Sequence, residues 1–516
     1  MTFENLQQIF SYIQEDIGIF DIKYDGWPLW SLLKDRLFNA FLSRFIAHEK
    51  ESILQKIRHR FAALLIQIIK IPFVYLKWKL HQFKFSTNTQ TPVVMLIIDG
   101  FFRYKDNNGF YVYPYGEFLS RSNIRNFDIF SIERNNRVRK KGKYIIKVNI
   151  SEDFTSFTFP FLKLFNKESN YISSLKNKLF DRIEPRLKNY PELIPIFKKE
   201  LNSKLINKIL YSFPIEKKRA KKLLRTIKPV VLLLTAPVGH LGWVAAAKEL
   251  KIKVIEFQHG IVDKYQPQYN WPAELKDNKS MLLVPDQIFM WGKYWVEENV
   301  KLGFWTNDEL FAYGNFKIDA LRKTYSNLIK ANLEKKSGKI ILVYTSCKPI
   351  RKEAIKFLDE FLHKVSDLNL QIEVIIKLHP FEDSEYPYYN KLVLKHRNFC
   401  KVYYHREKSL FDLFSLSKVH LSVFSAAILE SVELGLPTVI LNLPGKEYFR
   451  ELIERNIVKY IPDVETLLKL CDDISNSNEI WNTLVCDTRR KAGILYSTNS
   501  NESIVKHLND IIKNAK

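Results

Sequence analysis

Short, continuous apolar runs alternate along this chain with longer stretches whose apolar residues recur at helical spacing. PVVMLIIDG (92–100), a continuous apolar run ended by Asp-Gly, and PVVLLLTAPVGH (229–240) read as buried strands of a parallel sheet. KVIEFQHGI (253–261) reads as a third strand, ending in a Gly turn. Between the last two, LGWVAAAKELKI reads as a helix, which makes a strand–helix–strand unit. DQIFMWG (286–292) and ELFAYGN (309–315) continue the series. After a lysine-rich helical connector (317–338) the alternation restarts with GKIILVYTS (338–346), QIEVIIKLHP (371–380), KVYYH (401–405), KVHLSVFS (418–425) and LPTVILN (436–442). An amphipathic helix follows the first of these, AAILESVELG precedes the last, and ESIVKHLNDIIKNAK closes the chain as a helix.

This pattern predicts an α/β protein with two doubly wound, Rossmann-like domains facing a cleft. The expected divisions are a helical, basic N-terminal extension (1–88), a first Rossmann-like domain for an acceptor (89–320) and a second for a nucleotide donor (321–516). Within the extension, YDGWPLWSLLKDRLF (24–38) pairs an Asp-Gly turn with Leu29, Leu32, Leu33 and Leu37 at helical spacing, so packing is its expected role. Residues 121–228 mix short strands (DIFSI, YIIKVNI) with helical runs.

With 516 residues, 46% of them hydrophobic and 26% charged, the chain has the balance of a folded protein of more than one domain. Its formal charge of +24 calls for anionic partners. Nucleic acid, phospholipid head groups and phosphorylated substrates are the options; no zinc-knuckle spacing, arginine block or other nucleic-acid signature accompanies the charge, so a membrane surface is the better reading. Residues 61–80, FAALLIQIIKIPFVYLKWKL, hold Gln67, Lys70, Pro72, Lys77 and Lys79. A lysine in mid-span costs about 3 kcal/mol, so the segment reads as a buried linker helix or an interfacial one rather than a spanning one. Cys347, Cys400, Cys471 and Cys486 form no CxxC pair, and the N-terminus lacks a basic start with an apolar run. A reducing cytoplasm, with peripheral attachment to the inner face of the membrane, is therefore expected.

The chemistry-bearing residues cluster at strand ends. In the segment from His420 to Pro437 a strand ends at Ser422 and a helix opens at Ser425, so hydroxyls and backbone N–H groups could hold phosphate oxygens. Glu430, inside that helix, could reach a ribose hydroxyl; the plain alternative is a helix cap with a solvated glutamate. KLHP ends a strand in Lys377, His379 and Pro380, and FQHG ends another in Gln258, His259 and Gly260. Each histidine is either a satisfied strand-end residue or a working one. Histidine titrates near neutral pH and suits a general base, with Glu256 and Asp263 as candidate orienters. Strand alternation predicts that Glu256 points away from the loop. Asp99, ending the first strand, is the rival base. Gly239 and His240, with Gly242, form a loop that could approach a ligand closely.

The pattern S-x-x-S-x-x-x-x-E-x-x-x-x-G-x-P over 422–437 resembles the donor-binding segment of GT-B glycosyltransferases. GNFKID (314–319), with Phe316 where proline is commoner, and the preceding MWGKYWVEENVKLGF resemble the end of their N-terminal domain. KLHP resembles the His-Pro motif of bacterial sialyltransferases, capsule Kdo transferases and CDP-glycerol glycerophosphotransferases, which implies that His379 contacts donor phosphate. FQHG resembles the Trp-His-Gly of the glycerophosphotransferases, and IIDG a truncated acidic motif of sialyltransferases with Ile98 replacing the first acid. The resemblance implies transfer of a sugar from a nucleotide-activated donor (CMP-, CDP- or UDP-linked) to a surface-glycan or lipid-linked glycan acceptor. Transfer of a polyol phosphate from a CDP-alcohol, epimerisation without the usual acidic set, and a non-catalytic glycan-assembly role are the alternatives. GxGxxG, a P-loop and a DxD at a strand end are all absent, so no cofactor and no metal are expected.

Overall fold

The computed structural model describes residues 3–46, 91–99, 104–105, 111–112, 126–134, 149–151, 170–315, 319, 339–346, 350–379, 382–404, 407–423, 425–497 and 500–515. It is an α/β protein built on two parallel sheets.

The first sheet has seven strands in the order β11-β10-β9-β8-β3-β6-β7. These are β3 (Val93–Asp99), β6 (Asp128–Arg134), β7 (Asn149–Ser151), β8 (Val231–Thr235), β9 (Lys253–Phe257), β10 (Gln287–Met290) and β11 (Leu310–Ala312). All pairings are parallel. The chain builds outward from β3 through β6 and β7, then returns to β8 on the other side of β3. The order thus reverses between β3 and β8, the place where open α/β sheets leave a crevice at the carboxyl ends of their strands. Two small antiparallel ribbons, β1 (Lys23–Tyr24) with β2 (Trp27–Pro28) and β4 (Tyr104–Lys105) with β5 (Tyr111–Val112), stand outside the sheet.

The second sheet has six parallel strands in the order β14-β13-β12-β15-β16-β17. They are β12 (Ile340–Thr345), β13 (Ile372–Lys377), β14 (Cys400–Tyr403), β15 (Val419–Ser422), β16 (Thr438–Leu441) and β17 (Lys459–Ile461). Its order reverses between β12 and β15, so Thr345, Ser346 and Ser422 stand at the second crevice. The strands are shorter than the apolar runs that announced them, because the runs continue into buried turns.

The helices in chain order are α1 (Phe3–Gln14), α2 (Leu29–Ile46), α3 (Asn170–Ile183), α4 (Ile194–Leu201), α5 (Lys204–Ile227), α6 (Leu241–Glu249), α7 (Lys293–Val300), α8 (Arg351–Asp367), α9 (Tyr386–Lys395), α10 (Leu410–Leu416), α11 (Ala427–Glu433), α12 (Arg450–Glu454), α13 (Val464–Asn476), α14 (Asn478–Leu495) and α15 (Ser500–Asn514). Leu29, Leu32, Leu33 and Leu37 of α2 are buried in one apolar cluster with Met95, Ile97 and Leu232 of the first sheet. Residues 3–46 are therefore part of the first core. At the far end, α15 lays Ile504, Val505, Leu508 and Ile512 against Val94, Leu96, Val231, Leu233 and Ile255. The last helix of the segment expected as the second domain thus covers a face of the first sheet.

Among the described residues no helix is long and apolar enough to cross a membrane. Residues 61–80 lie outside them, as do Pro380, Phe316 and the side chain of Asp99.

Candidate active site

His259 follows β9 by two residues, and Gln258 sets its loop. The Gln258 side chain donates to the Gly260 carbonyl (2.8 Å) and accepts from the Trp291 N–H (2.8 Å), while the Trp291 indole donates to the Gln258 carbonyl (2.9 Å). This buried bracket ties the mouths of β9 and β10 together and turns the chain back on itself. Glu256 consequently faces His259 rather than pointing away: its Oε1 lies 3.4 Å from Nδ1 of the ring. The separation is longer than a good hydrogen bond.

Glu256 is fully buried, and the Tyr269 hydroxyl donates to it at 2.5 Å. Burial raises its carboxyl above the usual range, against the opposing pull of His259 and Tyr269. His259 keeps 18% of its side chain exposed, so the ring connects a buried acid to solvent. Asp263, the other expected orienter, is turned elsewhere. Its Oδ1 accepts from the Tyr265 N–H at 2.9 Å, and burial, with repulsion from Glu451, pushes its carboxyl up to about 7.

The N-terminal helices complete this mouth. Lys34 of α2 is buried with its ammonium 3.4 Å from the centroid of the Trp271 ring, donating to Gln14 Oε1 (2.8 Å) and to the Asn270 carbonyl (2.7 Å). Burial drives its pKa well down. Asp35, whose carboxyl is raised by burial against the opposing charges of Arg36 and Lys34, the Asn39 hydrogen bond and, least, His259, lines a cavity of about 20 Å³ with Lys34, Glu256 and Tyr269. Sequence reasoning missed both residues, because a Lys-Asp pair on an amphipathic helix reads as a solvated face. The available signal was the position of Lys34 directly after the buried Leu32 and Leu33. Beside them Ala236, just after β8, holds φ +49°, a conformation costly for a residue with a Cβ.

Of the glycine loop, His240 is buried and its carbonyl accepts from Trp243 and Val244, so it starts α6. Gly239 and Gly260 have open space where a Cβ would stand. Gly242 does not: a Cβ there would meet Glu216 Cγ at 2.6 Å, and its N–H bonds Glu216 Oε2 at 3.3 Å.

In the second sheet the expected residues divide sharply. His379 is exposed after β13, its N–H donating to Ser346 Oγ (3.1 Å), whose own proton goes to Glu382 (2.7 Å). Ser425 is half-buried and accepts from the Ala427 N–H at 3.3 Å, which leaves its hydroxyl hydrogen to donate; Glu430 is half-buried in α11. Lys377 has a different employment from the one expected. Its ammonium donates to the Tyr404 and Lys408 carbonyls (2.7 and 2.6 Å), and burial lowers its pKa to about 8. It clamps the loop after β14.

Ser422 is likewise engaged inside, fully buried and 2.7 Å from Thr345 Oγ1. Thr345 meets His420 Nε2 at 3.0 Å, and His420 Nδ1 meets Ser431 at 2.7 Å. Ser431 also meets the Ile428 carbonyl (2.9 Å) and Thr438 Oγ1 (2.7 Å), so a continuous buried chain of hydroxyls runs from Ser422 through Thr345 and His420 to Thr438. Burial lowers the His420 pKa to about 3, so this histidine stays neutral. Among the described residues Cys400, Cys471 and Cys486 are free, and burial pushes the first two thiols up to about 12.

The loop that carries His259 runs directly into the second domain. Ile261, Asp263 and Tyr265 line a small seam cavity with Tyr448 and Glu451; Lys264 pairs with Glu451 at 3.0 Å, and the Tyr294 hydroxyl donates to the same carboxylate at 2.9 Å. Ile428 and Leu429 of α11, just beyond Ser425, share the apolar cluster of Val262 and Tyr265.

No family model and no curated protein matches this chain. Among solved structures it is similar to the UDP-GlcNAc 2-epimerase of Methanocaldococcus jannaschii in complex with UDP-GlcNAc and UDP, at 14% identity over 81% of this chain and 99% of that one, with a TM-score of 0.47. It is also similar to the wall teichoic acid polymerase TagF soaked with CDPG (12%, 90% and 100%, 0.43) and to MurG of Acinetobacter baumannii (11%, 81% and 99%, 0.43). At such scores the fold assignment stands on the strand order itself.

Proposed function

We propose that this chain is a glycosyltransferase of the GT-B type, moving a sugar from a CMP-, CDP- or UDP-linked donor to a bacterial surface-glycan or lipid-linked acceptor without a metal. One observation carries the reading. His259 is a part-exposed imidazole at a strand mouth, backed by the buried Glu256–Tyr269 pair, on a loop that continues into the seam with the second sheet. In this scheme the acceptor hydroxyl gives its proton to Nε2 as its oxygen attacks the anomeric carbon. Glu256 stabilises the imidazolium through Nδ1, with Asp99 as the rival base.

The bond from that carbon to the donor phosphate breaks, and the nucleotide leaves with the electron pair. His379 and the Ser425 hydroxyl meet the charge on the departing phosphate, with Glu430 holding the ribose. Gly239, His240, Gln258 and Gly260 build the acceptor-side loops. The excess of basic residues suits work at the inner face of the cytoplasmic membrane.

The test is a panel of CMP-, CDP- and UDP-linked sugars and CDP-alcohols with the full chain, read as nucleotide release in the presence of EDTA. Sugar-dependent release that falls in His259→Ala and His379→Ala supports the proposal. Release from CDP-alcohols alone moves the reaction to phosphorus. An inert protein that no nucleotide stabilises, where a ligand at 100 times its Kd adds about 2.7 kcal/mol, ends the enzymatic reading.

A further inference from the structure

Asp359 and His363 lie four residues apart in α8 and so share one face of that helix. His396 caps the C-terminal end of α9. It is 5% exposed, and its Nε2 meets Asp359 Oδ1 at 2.7 Å. The His363 ring stands edge-on to it, with centroids 5.0 Å apart and an interplanar angle of 88°. One donor atom from each of the three residues lies within 4.8 Å of the others. A tetrahedral Zn²⁺ at about 2.1 Å from its ligands needs donors about 3.4 Å apart, so the exposed His363 must turn inward while the 2.7 Å Asp359–His396 hydrogen bond opens to admit the ion.

We propose that Asp359, His363 and His396 form a site for a divalent transition cation of the Zn²⁺ type, with water in the fourth position. Two imidazoles and one carboxylate match that class of ion rather than Mg²⁺ or Ca²⁺, which take oxygen ligands. The place of the site fixes its role. Strand β12 enters α8 from the carboxyl edge of the sheet, so the later turns of α8 lie at the opposite edge, where α9 turns into β14. The site is thus remote from the strand mouths that carry His379 and Ser425, and it staples α8 to α9. Its open fourth position differs from the closed sets of structural zinc, but its location makes it a staple between helices, independent of the metal-free transfer proposed above. The partial negative charge at the C-terminal end of α9 favours a cation there. Lys395 opposes it, since its ammonium holds Asp359 Oδ2 at 2.8 Å, but that side chain is half exposed and can swing away.

The experiment titrates metal-stripped full-length protein with Zn²⁺ alone at neutral pH, following heat and melting temperature, and repeats it with Co²⁺ for its tetrahedral absorption bands. One equivalent should bind and raise the melting temperature. His363→Ala, an exposed substitution that leaves the apo-protein folded, should weaken binding by at least about 10-fold. Lys395→Gln should tighten it by removing the competing cation. Equal Zn²⁺ affinity and stoichiometry in the wild type and His363→Ala would overturn the proposal, whatever the outcome of the nucleotide-release assay.

Discussion

Each sheet holds a histidine with a hydroxyl network, one just beyond β9 and one inside β15, yet the two are physically opposite. At the first, His259 is part-exposed and joined to buried Glu256, with Tyr269 behind and Asp35 beside it. At the second, His420 is fully buried between Thr345 and Ser431, with hydroxyls alone as partners. A carboxylate beside a ring that still reaches solvent gives a proton somewhere to go and something to hold it. Hydroxyls around a buried ring hold one neutral tautomer in place. One arrangement suits chemistry, the other architecture, and a histidine beside a buried parallel strand is compatible with both.

The largest test of this contrast is a pair of alanines. His259→Ala should lower the rate of nucleotide release by about 10²–10⁴-fold with an unchanged melting temperature. His420→Ala should do the reverse, costing about 2–3 kcal/mol in denaturant unfolding through its orphaned hydroxyl partners. Loss of activity without loss of stability in His420→Ala would erase the distinction. Next, Gly242→Ala should cost about 1–3 kcal/mol, because the new methyl group meets Glu216. Gly239→Ala, three residues away with open space around it, should be close to neutral in the same unfolding assay.

The subtlest difference is in pH. The His420 pKa is depressed to about 3, so below the ordinary histidine range the unfolded chain binds a proton that the native state refuses. Its contribution is present above pH 6.5 and is lost as pH falls toward 3. Asp263 has the opposite sign. Its pKa is raised from 3.8 to about 7, so its contribution is full below pH 3.8 and is lost as pH rises to about 7. Asp263→Asn should remove that decline from a melting-temperature profile taken across the window. A profile unchanged by the substitution would show that the proton resides elsewhere at the seam.

The parallel strands were legible because strands buried on both faces leave apolar runs that little else produces. Their mouths were legible in part: FQHG lies just beyond β9, Ser422 and Ser425 stand at and beyond the end of β15, and the two crevices fall where the strand order reverses. What stayed hidden depends on contacts distant in sequence. Lys34 and Asp35 reach the first mouth only because α2 is folded over it, and a charged pair on a helix carries no mark of that. Lys377 and Ser422 have the residue types of a phosphate site, but the loop after β14 and the Thr345 hydroxyl reach them first. Glu256 defeats simple alternation because the Gln258 bracket folds the chain back beyond the strand. Asp359, His363 and His396 are joined by packing between two helices, and only the four-residue spacing of the first two is local.

Helix α15 imposes an order on synthesis. Val94, Leu96 and Val231 emerge from the ribosome hundreds of residues before Ile504 and Leu508, their covering partners. One apolar face of the first sheet must therefore wait bare, or in the care of a chaperone, while the second sheet is made. A fragment cut at the connector would inherit that bare face for good and should aggregate, so the lobes of this protein are separable on paper but not by truncation.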